Sequence, residues 1–136
     1  MRIKLDKGAI MPTRAHELDA GLDLYSRDDG WIAAHTTVMV DTGVHIELPD
    51  CAVGEVLGRS GMSRRGIWVA HGTIDAGYRG SICVIIANLT DEDYHIRVGD
   101  RIAQLVIVQC MRPPLEVVGS LNDSDRADGG FGSTGR

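Results

Sequence analysis

Seven short apolar runs punctuate the chain, at 32–34, 37–40, 44–48, 52–57, 82–87, 102–108 and 115–118. Turn-forming residues bound them: Asp28-Asp-Gly30, Asp41-Thr-Gly43, Pro49-Asp50, Ala76-Gly77, Asp91-Glu-Asp93, Gly99-Asp100 and Pro113-Pro114. β-Branched residues dominate several runs, and 20–26 alternates apolar and polar positions around Asp23. Short runs at near-even spacing, separated by turn signals, predict the strands of an all-β sandwich or barrel. No stretch of ten residues keeps a helical period. A single helical turn is expected at 60–65, with Ser60 as N-cap and Gly66 as terminator. Ala76-Gly77, between extended stretches, predicts a tight β-hairpin.

Composition narrows the picture. A chain of 136 residues supports one domain with a real core and is too short for two. With one Phe, two Trp and three Tyr, that core must be built of Val, Ile and Leu. A net charge of -5 argues against non-specific duplex nucleic-acid binding, yet leaves room for a phosphate held by a few local arginines. No apolar segment reaches transmembrane length and no signal-peptide apolar region opens the chain, so no membrane association is expected. The cysteines, Cys51, Cys83 and Cys110, are odd in number and lack CxxC spacing. That excludes a disulfide framework or zinc knuckle, predicts Cys83 and Cys110 as buried thiols, and fits a cytoplasmic setting. After Val118 the apolar content collapses to Leu121, Ala127 and Phe131, with five glycines in 119–136. A mobile C-terminal arm on a folded domain of 1–118 is expected.

Five stretches carry residue types suited to chemistry. In Gly58-Arg-Ser-Gly-Met-Ser-Arg-Arg-Gly66, Arg59 and Ser60 suit an anion, although such turns are often only solvated. In Gly72-Thr-Ile-Asp-Ala-Gly-Tyr-Arg-Gly80, Asp75 is either a turn-stabilising residue or a base, with Tyr78 a flat wall beside a ligand. Asp23, in Ala20-Gly-Leu-Asp-Leu-Tyr-Ser26, either faces solvent or supports a hydrated Mg²⁺. Gln104 is a polar residue in the otherwise buried run after Gly99-Asp-Arg101 and needs a partner, backbone or ligand. The tail segment Gly129-Gly-Phe-Gly-Ser-Thr-Gly135 can converge backbone N–H groups on a phosphate or serve as a flexible end. It is no Walker A loop, because the Lys and the following helix are missing. The histidines, at 16, 35, 45, 71 and 95, show no metal-ligand spacing and receive no role.

In this order, the stretches 20–26, 58–66, 72–80, 99–105 and 126–135 resemble the five motifs of the trimeric dUTPase family. The resemblance implies a distorted jelly-roll β-barrel of the β-clip type, with one short helix, assembled as a homotrimer. Each active site would draw on all three chains, the arm 119–136 completing a neighbour's site. It implies hydrolysis of dUTP to dUMP and pyrophosphate with Mg²⁺. Such an activity limits uracil incorporation into DNA and supplies dUMP for dTMP synthesis. Residue by residue, Asp23 would position the hydrated Mg²⁺, and Arg59, Ser60, Gly61 and Gln104 would contact phosphates. Asp75 would deprotonate the attacking water, and Tyr78 would lie under the deoxyribose. Main-chain groups near Gly72 and from Tyr78 through Arg79 to Gly80 would select uracil. From the arm, Arg126 would reach the phosphates, Phe131 with Gly132 would close over the base, and Ser133 and Thr134 would hold the γ-phosphate. The partners implied are dUTP or dUMP and two further copies of the chain, with no nucleic acid or membrane. The location implied is the cytoplasm, or the host-cell cytoplasm for a viral chain.

Gly58, Gly77 and Ala127-Asp128 depart from the family pattern without removing a functional group, though Asp128 adds negative charge near the phosphates. One rival is a dUTP-gated binding relative that kept the pocket. The other is dCTP deaminase, which resembles this family in fold. That chemistry requires a carboxylic acid ten residues beyond Asp75, where this chain has Ile85.

Overall fold

Alternation along the strands sorts the side chains inward and outward. In β2 (Gly21–Tyr25), β5 (Val44–Glu47) and β6 (Ala52–Leu57), every second residue is buried. This is the period-2 pattern of sheets with one face on a core. β11 (Arg101–Gln109) breaks the rule once. Its register against β2 shifts between Arg101 and Ala103, and at this irregularity the consecutive residues Ile102 and Ala103 are both buried.

The structure is a computed structural model that describes residues 1–125 and 127–128. The remaining strands are β1 (Arg2–Leu5), β3 (Gly30–Ile32), β4 (Thr37–Asp41), β7 (Ile67–Val69), β8 (Gly72–Ile74), β9 (Cys83–Asn88) and β10 (Tyr94–Ile96). Among the described residues, α1 (Ser60–Ser63) is the one helix. Every strand pairing is antiparallel. A four-stranded sheet runs β2-β11-β6-β8 and a three-stranded sheet runs β4-β9-β7, flanked by the pairs β1-β5 and β10-β3. All four contribute to a single core of Leu24, Ile32, Val44, Val56, Ile67, Ile74, Val84, Ile86, Ile96 and Leu105. This is the expected all-β, jelly-roll class, built from aliphatic residues.

Local details differ from the sequence expectations. Arg59, not Ser60, is the helix N-cap; its backbone is extended and its side chain makes no cap bond. The helix stops at Ser63 with Arg64 as C-cap, short of the expected 60–65, and Gly66 at φ +78 follows two residues later. Ala76-Gly77 does form a tight turn, closed by the Tyr78 N–H donating to the Asp75 carbonyl at 3.0 Å. It is not a β-hairpin. β8 pairs with β6, and the next strand, β9, joins β4 and β7. Side chains of β5 and Asp41, rather than β8, hold the chain that leaves the turn. The apolar run 115–118 forms no strand, and Leu115 and Val117 are fully exposed. Two ladder donors are missing at Pro113 and Pro114 just before it. Cys83 and Cys110 are half-buried rather than buried. Cys83 lies opposite Asp41 in the β4–β9 register. Partial burial, with Asp41 as a lesser cause, pushes its thiol pKa up. β1, β7 and β10, each only three or four residues long, carry no alternation readable in advance.

Asn88 is the polar keystone of the core. Its buried amide Nδ2 donates to the carbonyls of Ile32 and Glu92, at 3.0 and 2.8 Å. Its Oδ1 accepts from the N–H and hydroxyl of Thr90, at 3.0 and 2.8 Å. Asn88→Ala strands these groups, and buried polar groups without partners cost ~1–3 kcal/mol each. A loss of about 2–4 kcal/mol in urea denaturation is expected; a loss under ~0.5 kcal/mol would contradict this account.

Candidate functional site

β11 runs between β2 and β6, and Gln104 is the point at which their registers meet. It lies opposite Asp23 on one side and Leu57 on the other. Asp23, Gln104 and the residues following β6 are thereby gathered at one end of the sheet. The Gln104 amide donates to the Gly58 carbonyl at 3.0 Å, which supplies the backbone partner its burial requires. A Cβ at Gly21 would sit 2.3 Å from Gln104 Oε1, so a glycine there leaves the amide its place.

Two arginines close on Asp23. Arg59 Nε is 3.1 Å from Oδ1, and Arg101 donates to Oδ2, also at 3.1 Å. Arg59 also donates to the Arg101 carbonyl at 3.0 Å. The Asp23 side chain is only 14% exposed, so water screens this trio poorly. Two guanidinium charges against one carboxylate leave the trio with a net positive charge. It borders a polar cleft of about 370 Å³ that Asp19, Gly21, Ser60, Gly61 and Gln104 also line. Asp19 adds a second carboxylate to the wall, so what suits a phosphate chain is the convergence of guanidinium, hydroxyl and amide donors in one concave space. Asp23, the consecutive Arg59-Ser60-Gly61 and Gln104, from three separate stretches of the chain, line this one cleft. Arg101 was missed. Its signal was the basic residue of Gly99-Asp-Arg101 at the strand entrance, in a motif already singled out.

The second group stands apart. Ile74 lies opposite Gly54, so Asp75 follows at the Val53 end of β6, whereas Arg59 follows its Leu57 end. At ~3.3 Å per residue, four strand residues already separate the two ends by about 13 Å. Asp75 is exposed, at the head of its turn. The Tyr78 hydroxyl donates to the Ser81 carbonyl at 3.0 Å, and the ring lies over Gly80, where a Cβ would come within 2.3 Å of the Tyr78 oxygen. Arg79 turns its guanidinium back onto the loop, donating to the carbonyls of Ala76 and Tyr78 at 2.6 and 2.9 Å. Its side chain staples the loop and leaves the main chain of 78–80 as the part able to read a ligand. Gly72 lies opposite Val56 in β6, half-buried. Arg126, Phe131, Gly132, Ser133 and Thr134 lie outside the described residues.

Among the described residues, no three His, Cys, Asp or Glu side chains gather to cage a metal. One partly buried carboxylate beside a phosphate-sized cleft does suit Mg²⁺, which keeps its waters and binds through one or two carboxylates together with substrate phosphates. Among the described residues no helix is long and apolar enough to cross a membrane.

The dUTPase family profile matches residues 7–135. The chain is 43% identical over 135 residues to the deoxyuridine 5'-triphosphate nucleotidohydrolase of Clostridium acetobutylicum, covering 97% of this chain and 93% of that one. It superposes on the Staphylococcus bacteriophage 80alpha dUTPase with dUpNHpp at a TM-score of 0.94 and 32% identity, covering 99% and 98% of the two chains. A variant of the phage phi11 dUTPase, described for its coordination of a structural Mg(II) ion, matches at a TM-score of 0.83 and 29% identity. It covers 88% of this chain and 96% of its own.

The Tyr78–Gly80 contact makes its own prediction. Gly80→Ala should expel the Tyr78 ring and break its bond to Ser81, while the fold is retained. The check is the Tyr78 ring proton shifts by NMR: they should move towards free-tyrosine values, and unchanged shifts would contradict the packing.

Proposed function

The chain belongs to the dUTPase family and hydrolyses dUTP to dUMP and pyrophosphate; from that premise we propose how its residues divide the work. The observation that carries this reading is the Asp23–Arg59–Arg101 trio beside a phosphate-sized cleft. In the free chain Asp23 holds both guanidinium groups in place. A triphosphate entering the cleft competes with Asp23 for them and meets cations that are already oriented. Ser60, Gly61 and Gln104 add donors along the phosphates. Mg²⁺ bound on the triphosphate would draw charge from its oxygens, and Asp23 is the residue that would address its water shell. Asp75 takes the proton of a water that attacks the α-phosphorus in line, and pyrophosphate leaves. Tyr78 lies flat under the deoxyribose, where a 2′-hydroxyl would clash. Main-chain groups of Gly72 and 78–80 pair with uracil, and cytosine leaves them unpaired. Arg126 of the arm adds charge at the phosphates, Phe131 and Gly132 cover the base, and Ser133 and Thr134 hold the γ-phosphate.

A homotrimer with shared sites is part of this proposal, with a domain of 1–118 and an arm of 119–136. Its first support is the separation of Asp75 from the Arg59 end of β6 within one chain. Its second is an apolar outer face on the three-stranded sheet. Met39 lies opposite Ile85, Trp68 lies opposite Ala87, and Met39, Ile85 and Trp68 are all exposed. The third is the exposed apolar stretch at 115–118, which a second copy would cover. Ile85 sits on that outer face without an acid in its place, so no observation favours deamination. Three free thiols support the cytoplasmic reading.

Pyrophosphate release from dUTP, dCTP, dTTP and UTP, each with Mg²⁺ or EDTA, tests the reading. Only dUTP with Mg²⁺ should react rapidly. Asp75→Asn should lower kcat by about a hundredfold or more while dUTP still binds. Unchanged turnover would remove Asp75 as the base, and binding without hydrolysis in the unsubstituted protein would favour the nucleotide-gated relative.

A further inference from the structure

His45 is placed where both of its ring nitrogens face oxygens that only accept. Nδ1 lies 2.9 Å from the main-chain carbonyl of Arg79, and Nε2 lies 3.0 Å from Oδ2 of Asp6. A carbonyl and an ionised carboxylate have no proton to give, so satisfying both contacts takes a ring protonated on both nitrogens. The side chain is only 17% exposed, which limits replacement of either contact by water. Two residues along the same face of β5, Glu47 stands 3.7 Å from the Arg79 guanidinium. β5 thus grips Arg79 at its carbonyl and at its side chain, directly behind the turn that carries Asp75 and Tyr78.

We propose that His45, bridging Asp6 and the Arg79 carbonyl as an imidazolium, is a positioning residue that fixes the 75–80 loop for dUTP. This rests on the assignment of that loop to the base, the sugar and the attacking water. No role for His45 is assigned by motif or spacing. The clamp spans three distant parts of the chain, and it touches main chain rather than ligand.

The surrounding charges set its pH range. Asp6, just beyond β1, raises the His45 pKa by its hydrogen bond, and the Arg79 carbonyl adds to the rise. Partial burial opposes it, as does Lys4, which lies directly across the β1–β5 pair. Glu47 on β5 faces Arg2 and Arg79, and Arg27 stands 3.8 Å from Asp6. His45, held above its ordinary 6.5, contributes fully below that value and is lost as pH rises through its elevated pKa. Asp6, held below 3.8 chiefly by His45, contributes above that value and is lost only in stronger acid. The clamp is therefore closed in mild acid and opens as pH rises through the raised His45 pKa.

The test is KM and kcat for dUTP between about pH 6 and 9 in the unsubstituted protein, His45→Gln and Asp6→Asn. The unsubstituted protein should show KM rising about threefold to tenfold as pH rises through the His45 pKa, the scale of one lost net hydrogen bond. His45→Gln cannot donate in both directions and should show the raised KM throughout, without that rise. Asp6→Asn should move the midpoint of the rise to lower pH, which a merely structural residue would not do. A KM profile in His45→Gln identical to that of the unsubstituted protein would overturn the proposal. Nitrogen NMR of the His45 ring gives a readout independent of activity. Both nitrogens protonated near pH 6.5 supports the clamp, and one bare nitrogen overturns it. If the unsubstituted protein hydrolyses no dUTP, the functional reading fails while the ring spectrum still decides the clamp.

Discussion

Asp23 holds two arginines at once, one on each carboxylate oxygen, and that single carboxylate ties three elements of the sheet into a site. It comes from β2, Arg59 from the end of β6, and Arg101 from the start of β11. Gln104 lies opposite Asp23 and Leu57, so slipping either pairing by one residue would turn Asp23 or Gln104 to the other face. The register of β11 is thus both a folding constraint and the device that gathers the groups proposed to bind phosphate. The irregularity at 101–103 lets the strand start with Arg101 on the trio and continue with Ile102 and Ala103 in the core.

The same sheet separates the two groups to which the proposed mechanism assigns complementary work. β8 pairs with the far end of β6, so Asp75 and Tyr78 are carried away from Arg59. Phosphoryl transfer is governed by alignment and charge neutralisation, and a base at the far end of a strand contributes neither. The proposed trimer would resolve this, because a second copy would present its 75–80 loop to the cleft of the first. The loop then has to be shaped without help from its own sheet. Arg79 stapling Ala76 and Tyr78, Ser81 receiving the Tyr78 hydroxyl, and β5 gripping Arg79 supply that shape. Ser81 in turn donates to Asp41, which also binds Arg27, so the end of the loop at 79–81 is anchored to charged side chains.

β2 was legible from its alternation, and β4, β5, β6, β9 and β11 from their apolar runs, because one face of each meets the core. β1, β7 and β10 were not, since three or four residues carry too little pattern and their stability comes from partners distant in sequence. The hairpin expected at Ala76-Gly77 failed for the same reason: the turn is local, but the pairing of β8 with β6 is not. Residue type and motif singled out Asp23, Arg59, Ser60, Gly61 and Gln104, which line one cleft. The ion pairing was not legible, because nothing between positions 23 and 101 signals that the two will meet. Arg79 was named for ligand contact, yet its guanidinium serves the loop. His45 carried no signal, because its partners lie 39 and 34 residues away.

The central claim is that one chain supplies the phosphate cleft and another supplies the base. Co-expressing Arg59→Ala and Asp75→Asn chains under two different tags, and isolating trimers that carry both, tests it directly. Each variant alone should be nearly inactive. A shared site rebuilds one intact site in every mixed trimer, so about one third of the unsubstituted dUTP hydrolysis rate should return. Mixed trimers no more active than either variant alone would mean that the two groups act within one chain, and would contradict the account.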